Sequence, residues 1–460
     1  AVQNLISIKA SAWQTNTTSF SPALEIQFNA YGVTLFGYIY DHTDDGKVNY
    51  DRILFSENKQ STSADLTEGG WSNWTACKIL SGIDSVNSFY MIHVIKLGND
   101  GSFRIRLLFN NLNSSLTQPG DLAEALNKNV GPMIDYPDES PAQLITCEKD
   151  KFTFQKEMQM SFDWHRSAAG YIMNTYKPDV MIHDIYTPNQ MLTSRWWLGY
   201  VDPDGRFYNS CEKMKRENLW NEVRGMYLSL DSMIGEILQN ADSNTLVVIS
   251  SDHGVCPLNY SVNVNNLLAR KGYLKFRIDT LTGQPQIDWA NSKAVFLKTD
   301  AVYINPNGLN GKWKRSSGEE YEKLRSQIIL DLLHLKHGHC KPIKSVTRWE
   351  DAEKLLSLAA DRVGDLIISM KPGYGLEEEF DESLNIVTEP YTTGYKQAIN
   401  PNDNKSLWTP FIIMGKGVKA GYHITAPINH VDQLPTILKI MGYEPPSYMD
   451  GKPLQFIMNN

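Results

Sequence analysis

An α/β protein is expected from these 460 residues: a mainly parallel sheet flanked by helices over residues 119–460, preceded by a β-rich, sandwich-like module over residues 1–118. Residues 1 to about 115 alternate apolar and polar positions in short runs broken by Asn, Asp, Gly and Ser, the period of half-buried antiparallel strands. From about residue 150, nearly continuous apolar runs alternate with long amphipathic segments, the pattern of strands covered on both faces. A composition 42% hydrophobic and 21% charged supports two or three domains with cores of their own.

The elements follow in order. Val33–Tyr40 and Ser102–Phe109 read as strands of the N-terminal module. Val180–Ile185, Leu246–Ser250, Asp365–Ser369 and Pro410–Met414, short and apolar, are the expected strands of the parallel sheet. Residues 212–239 carry Leu219, Val223, Met226, Leu230, Met233 and Ile237 at alternating spacings of four and three, which is one face of a helix. Residues 317–336 open with Ser317 three before Glu320, a capping-box spelling, and stop near Gly338. Asp432–Met441 is a shorter helix ended by Gly442, with Pro445 and Pro446 beyond it. No internal repeat or low-complexity tract interrupts this order.

A net charge of −8 without a long Lys/Arg block excludes nucleic acid or an anionic membrane surface as the main partner. No run approaches the roughly 18 apolar residues of a membrane span, and the first residues lack signal-peptide order, so the chain as given reads as soluble. Ala1 is read either as a mature terminus or as just the first residue in hand. Extracellular or cell-surface placement is the expectation, with the cytoplasm kept open. Cys77, Cys147, Cys211, Cys256 and Cys340 are widely spaced and odd in number, which fits neither a zinc ribbon nor a disulfide framework. Asn16, Asn73, Asn113, Asn259 and Asn404 open Asn-x-Ser/Thr triplets, which chance alone supplies in a chain rich in these residues.

The chemistry centres on Ser251-Asp252-His253-Gly254, directly after the apolar run Thr245–Ser250. A carboxylate and an imidazole side by side at a strand end make a metal-ligand pair. Further phrases surround it in order: Pro178-Asp179, Asn265–Leu268 with Gly272–Leu274, Asp288-Trp289, Tyr303–Asn305, and Asp365–Ile367 with Gly373-Tyr374. Val431-Asp432, Leu434–Leu438, Gly442 and Met449–Leu454 complete the set. In this order the chain, over about residues 150–455, resembles the type I phosphodiesterase/nucleotide pyrophosphatase branch of the alkaline phosphatase superfamily.

The resemblance implies an alkaline phosphatase-like α/β core and two divalent metals, usually zinc, about 4 Å apart. One is held by an early Asp, a Ser/Thr nucleophile and the Asp-His of the central phrase; the other by an Asp-x-x-x-His pair and a late His. Asp252 and His253 match as metal ligands. Asn189 stands in the Asp place and Thr193 in the His place of the second pair, and Gln397 aligns with the late His. An amide oxygen and a neutral hydroxyl lack the charge or softness that zinc favours. Residues 1–150 offer no strand, Asp-Gly and nucleophile-bearing helix in succession, and no Cys/Ser-x-Pro-x-Arg sulfatase motif occurs.

Other residues have a bland reading beside a sharper one. Asp252-His253 is a working pair or an inherited turn, and the inherited turn is preferred. His183 and Asp184 form a replacement site or a hydrogen-bonded strand pair, the latter preferred. His430 approaches the ancestral site or caps its helix at the surface, again the latter. His334, His337, His339 and Cys340 cluster without a zinc spacing and read as a solvated helix end. Asp41, Thr43, Asp45, Asn49 and Asp51 alternate around Gly46 like a calcium loop, with Arg52 where a bidentate Glu belongs, so an ion-free hairpin turn is preferred to calcium at Asp41 and Asp45. Trp71, Trp74, Trp196 and Trp197 read as packing residues rather than a stacking platform.

The functional expectation is a degenerate, non-catalytic phosphodiesterase-like protein with a structural or binding role, holding one zinc or other divalent ion rather than a full two-metal centre. A rival is a metal-dependent phosphoester hydrolase completed by a second polypeptide that carries the nucleophile segment. A third is a surface or filament subunit that self-assembles.

Overall fold

The computed structural model describes residues 6–81, 84–112, 114, 116–134, 145–280, 283–297, 301–309, 311–396 and 408–459. Gln397 and the triplets at Asn113 and Asn404 lie outside the described residues. Two compact units are formed: Ala1–Ile234 with Pro257–Ser261 and Thr388–Tyr395, and Gly235–Cys256 with Val262–Val387 and Lys396–Asn460. No described helix is long and apolar enough to cross a membrane.

In the first unit, Lys9–Ala10, Leu24–Ala30, Val33–Tyr40, Arg52–Ser56 and Ala64–Leu66 make an antiparallel sheet in chain order. Thr75–Ser81, Asp84–Leu97 and Phe103–Phe109 make a second. Alternation sends Ile26, Leu35, Ile39, Ile53 and Phe55 of the first sheet into one core with Tyr90, Ile92 and Val94 of the second. Each such buried aliphatic contributes about 1.5–3 kcal/mol. Gly37 pairs with Ile26 across the strands, and a Cβ there would lie 2.6 Å from the Ile26 side chain, so the close approach requires glycine.

Helix Glu148–Thr175 is capped by Cys147 and Asp150 in a capping box. Its Phe154, Met158 and Phe162 share a core with Trp197 and with Leu219, Val223 and Met226 of helix Lys213–Asn240, the face its spacing predicts. Polar contacts tie helix Glu148–Thr175 to the second sheet, among them Arg104 with Asp150 at 2.6 Å. Arg106 donates from Nη2 to the fully buried Glu157 at 3.1 Å. His93 stacks on Trp71 at 4.0 Å, with Nδ1 3.0 Å from the Gly70 carbonyl and Nε2 3.1 Å from Thr153 Oγ1.

The second unit holds a four-stranded sheet in the order Ala294–Leu297, Ala301–Ile304, Leu366–Met370, Ile343–Arg348. Asp365, fully buried at the start of the third strand, accepts from Tyr321 Oη at 2.6 Å and from the Ile304 N–H at 2.6 Å, with Arg315 Nε 3.3 Å away. Burial outweighs these donors and raises its pKa. Beside it, buried Arg325 pairs with Glu350 at 2.7 Å and Glu322 at 2.8 Å. Val247–Ser250 pairs with Phe411–Met414 in a separate two-stranded sheet.

Three expectations are corrected. Strands form at Val247–Ser250, Leu366–Met370 and Phe411–Met414, but all pair antiparallel, not in a mainly parallel sheet. Leu366–Met370 is buried throughout as its apolar run implies, whereas Ile412 and Met414 are exposed, so the runs did not all mark strands covered on both faces as a parallel sheet requires. Val180–Ile185 is irregular, with Ile182 92% exposed; a strand needs a neighbour for its backbone groups, and among the described residues none pairs with it. The Ser317–Glu320 capping box is not made, because Gly318 takes the N-cap position at φ 98° and helix Glu319–Leu333 starts after it.

Candidate functional site

The Val247–Ser250 strand delivers Ser251-Asp252-His253-Gly254 to a turn of the second unit. Asp252 is 84% exposed, and its Oδ1 accepts the His253 N–H at 3.0 Å. His253 Nδ1 lies 2.8 Å from the Gly254 carbonyl. A carbonyl only accepts, so Nδ1 donates here and Nε2 is the ring nitrogen left to face Asp252. That Nε2 stands 3.5 Å from Asp252 Oδ2. Residues beyond the Phe411–Met414 strand close on the turn: His430 Nε2 is 3.0 Å from the Ser251 carbonyl, and Ser250 Oγ donates to Gln433 Oε1 at 2.8 Å. His430, read as either approaching this site or lying at the surface, is exposed and also contacts the central phrase.

Asn189 and Thr193 lie in the first unit on the short helix Thr187–Leu192 and its C-cap. Thr193 directs both its N–H, at 2.9 Å, and its Oγ1, at 2.7 Å, to the Asn189 carbonyl. The hydroxyl is therefore engaged by its own helical turn. Asn189 Oδ1 is buried and, among the described residues, accepts no hydrogen bond. Before this helix, His183 Nε2 meets His165 Nδ1 at 2.6 Å, a partner that sequence spacing did not offer because it comes from a different helix. Asp184 instead accepts the N–H of Ile185 at 2.9 Å.

Asn189 and Thr193 themselves bring neither a carboxylate nor an imidazole to a metal. Two zinc ligands about 2.0–2.1 Å from a tetrahedral ion lie roughly 3.4 Å apart, and Asp252 Oδ2 with His253 Nε2 meets that spacing. The pair therefore suits one divalent ion, which needs further donors to close its shell. Among the described residues, no group of three or more His, Cys, Asp or Glu converges on one point.

In the calcium-like loop the carboxylates hold the turn itself. Asp41 accepts from Ser21 Oγ and from the N–H groups of Thr43 and Asn49. The Ser21 contact, followed by these N–H groups, outweighs burial and lowers its pKa. Asp45 accepts from the Lys47 N–H and from Asn49 Nδ2. His337 and Cys340 pair through their backbones, and His337 Nδ1 contacts Tyr374 Oη at 3.1 Å. Trp196 and Trp197 donate from Nε1 to the Ile145 carbonyl and to Glu222 Oε2, and Trp74 packs against Met91, Leu108 and Ile134.

The family model described as type I phosphodiesterase / nucleotide pyrophosphatase matches residues 136–396, more than half of the chain. The chain belongs to this family. Through it the protein joins the alkaline phosphatase superfamily. No curated protein matches the chain by sequence. Among solved structures, phosphonoacetate hydrolase from Sinorhizobium meliloti 1021, in complex with phosphonoformate, aligns at a TM-score of 0.26 and 13% identity over 56% of this chain. The match spans 50% of that hydrolase. Human ectonucleotide pyrophosphatase / phosphodiesterase 5 aligns at a TM-score of 0.41 and 15% identity, covering 66% of this chain and 65% of that one.

Some phosphodiesterase-family phrases have a purely structural use here. Asp432 Oδ1 accepts the Lys452 N–H at 2.8 Å, and Thr436 Oγ1 accepts the Leu454 N–H at 2.9 Å, which docks the Met449–Leu454 segment on helix Gln433–Ile440. A Cβ at Gly451 would lie 1.9 Å from the Val431 carbonyl, so only glycine lets the segment approach.

Proposed function

We propose that this phosphodiesterase-family chain does not carry out two-metal phosphoester hydrolysis and serves as a binding or structural protein on the hydrolase scaffold. In this reading residues 1–118 are a β-rich accessory module and residues 119–460 the alkaline phosphatase-like part. The observation that carries it is the state of Thr193, whose hydroxyl is given to the Asn189 carbonyl where the family resemblance calls for an imidazole. Turnover of an aryl phosphodiester with added zinc, measured for the wild type and for Asp252→Ala, tests it. The expected result is no zinc-dependent turnover in either protein. Zinc-dependent activity abolished by Asp252→Ala overturns the proposal.

The 3.5 Å spacing of Asp252 Oδ2 and His253 Nε2 favours one second reading, in which a separate polypeptide supplies the nucleophile and the missing ligands of a hydrolase. Native purification decides between the two. A stoichiometric second chain bearing an Asp-Gly strand and a Ser/Thr helix start, with activity only in the complex, supports the hydrolase.

A further inference from the structure

Helix Lys213–Asn240 buries one face and leaves another open. Leu219, Val223 and Met226 lie in the core that it shares with helix Glu148–Thr175. On its outer side, Trp220, Arg224, Tyr227, Leu228 and Asp231 follow one another at i, i+4, i+7, i+8 and i+11, the spacing of a single helical face. All five are exposed, Trp220 to 49%, Tyr227 to 50% and Leu228 to 62%. The outward face of a surface helix is ordinarily polar. One exposed apolar residue needs no explanation, but three large ones within about two turns make a strip of the kind that marks a contact surface. Trp, Tyr and Arg are also the residues that dominate the energy of such contacts.

The charges on this strip say what covers it. Arg224 and Asp231 stand on opposite sides of the midpoint between Tyr227 and Leu228, each about 5 Å from it along the axis. Among the described residues, neither has an ion-pair partner within the chain. Two copies of the helix packed antiparallel about a two-fold axis through that midpoint set Arg224 of each copy opposite Asp231 of the other. Tyr227 of each then meets Leu228 of the other. Parallel packing would instead set Arg224 on Arg224 and Asp231 on Asp231, which repel. A patch that is its own complement under a two-fold rotation is what an isologous contact requires.

We propose that the outer face of helix Lys213–Asn240 is a self-association surface, on which two copies of this chain pair antiparallel through Trp220, Arg224, Tyr227, Leu228 and Asp231. One helix from each side is a small patch beside the roughly 1,200–2,000 Å² of stable interfaces, so the pair forms and parts with concentration. Charges at a rim set register and exclude wrong arrangements more than they add affinity. The test therefore reverses them instead of deleting them.

Sedimentation velocity of the full chain, loaded at about 1–100 μM, should show a monomer–dimer equilibrium. Arg224→Asp and Asp231→Arg should each weaken it about tenfold, because like charges then meet twice across the axis. Mixed one to one, the two variants should associate as the wild type does, since each supplies the charge that the other has lost. The double variant Arg224→Asp/Asp231→Arg should pair with itself. Recovery in the mixture uses the same two chains that fail alone, so it separates a lost contact from a lost fold. A monomer over the whole range overturns the proposal. So does a dimer indifferent to both reversals, since another face would then carry it. Loss in the single variants with no recovery in the mixture or in the double variant overturns it as well, because the two charges would not be meeting across the axis.

Discussion

Asn189 and Thr193 sit four apart on one helical turn, closed by the 2.9 Å bond from the Thr193 N–H, and i, i+4 side chains are neighbours on a helix. Asn189→Asp with Thr193→His should therefore create a zinc or cobalt site absent from the wild type. Cobalt absorption of the two proteins checks this, and equal spectra would count against the assignment of these positions. His93 gives a pH dependence. Burial, with Arg106 also nearby, lowers its pKa below the ordinary 6.5 despite its bond to the Gly70 carbonyl. The fold thus prefers the neutral ring, so the stability it contributes is complete above pH 6.5 and is lost as pH falls through the lowered value. Urea midpoints measured from pH 7.5 downward should decline below 6.5, and His93→Gln should flatten that part of the curve. Asp252 and His253 were legible as a pair because they are adjacent in sequence. The approach of His430 entered only as an alternative carried by the family resemblance, since nothing in local spacing says that residues 179 positions apart meet.

Amphipathic helices were the most readable elements, because a period carries both their type and their buried face. Lys213–Asn240 and Gln433–Ile440 form within a residue or two of the expected bounds. Apolar runs were readable as strands wherever a partner exists, and failed at Val180–Ile185, where pairing rather than composition decides. The polar anchor of the four-stranded sheet could not be read at all: Asp365, Tyr321, Arg315 and Arg325 are scattered in sequence, and their meeting depends on tertiary packing. Asp365→Ala should cost about 3 kcal/mol, since it strands the Tyr321 hydroxyl, the Ile304 N–H and a guanidinium in a buried place. Chemical denaturation with an unchanged m-value would confirm a local loss. Gly451→Ala should cost about 1–3 kcal/mol through overpacking against the Val431 carbonyl, with a lowered Tm as the readout.

For the protein taken entire, family membership was written in the order of its phrases, whereas catalytic competence was not. The ordered phrases are largely scaffold, as the docking of Met449–Leu454 illustrates, so they persist whether or not ligands do. Structural metals contribute binding free energy to folding. A chain whose described residues offer one adjacent pair of ligands should melt at the same temperature with and without a strong chelator. A fall of several degrees in differential scanning calorimetry would instead mark a resident metal centre.

The Ala294–Leu297 strand of the four-stranded sheet has a further effect on how copies of this molecule meet. The Asn265 amide accepts the Phe296 N–H and donates to the Phe296 carbonyl, so growth of that sheet can start from one flank only. Two molecules joined flank to flank would present sealed outer borders, and addition would end there. Among the described residues, this sheet therefore offers a further strand one flank and not two.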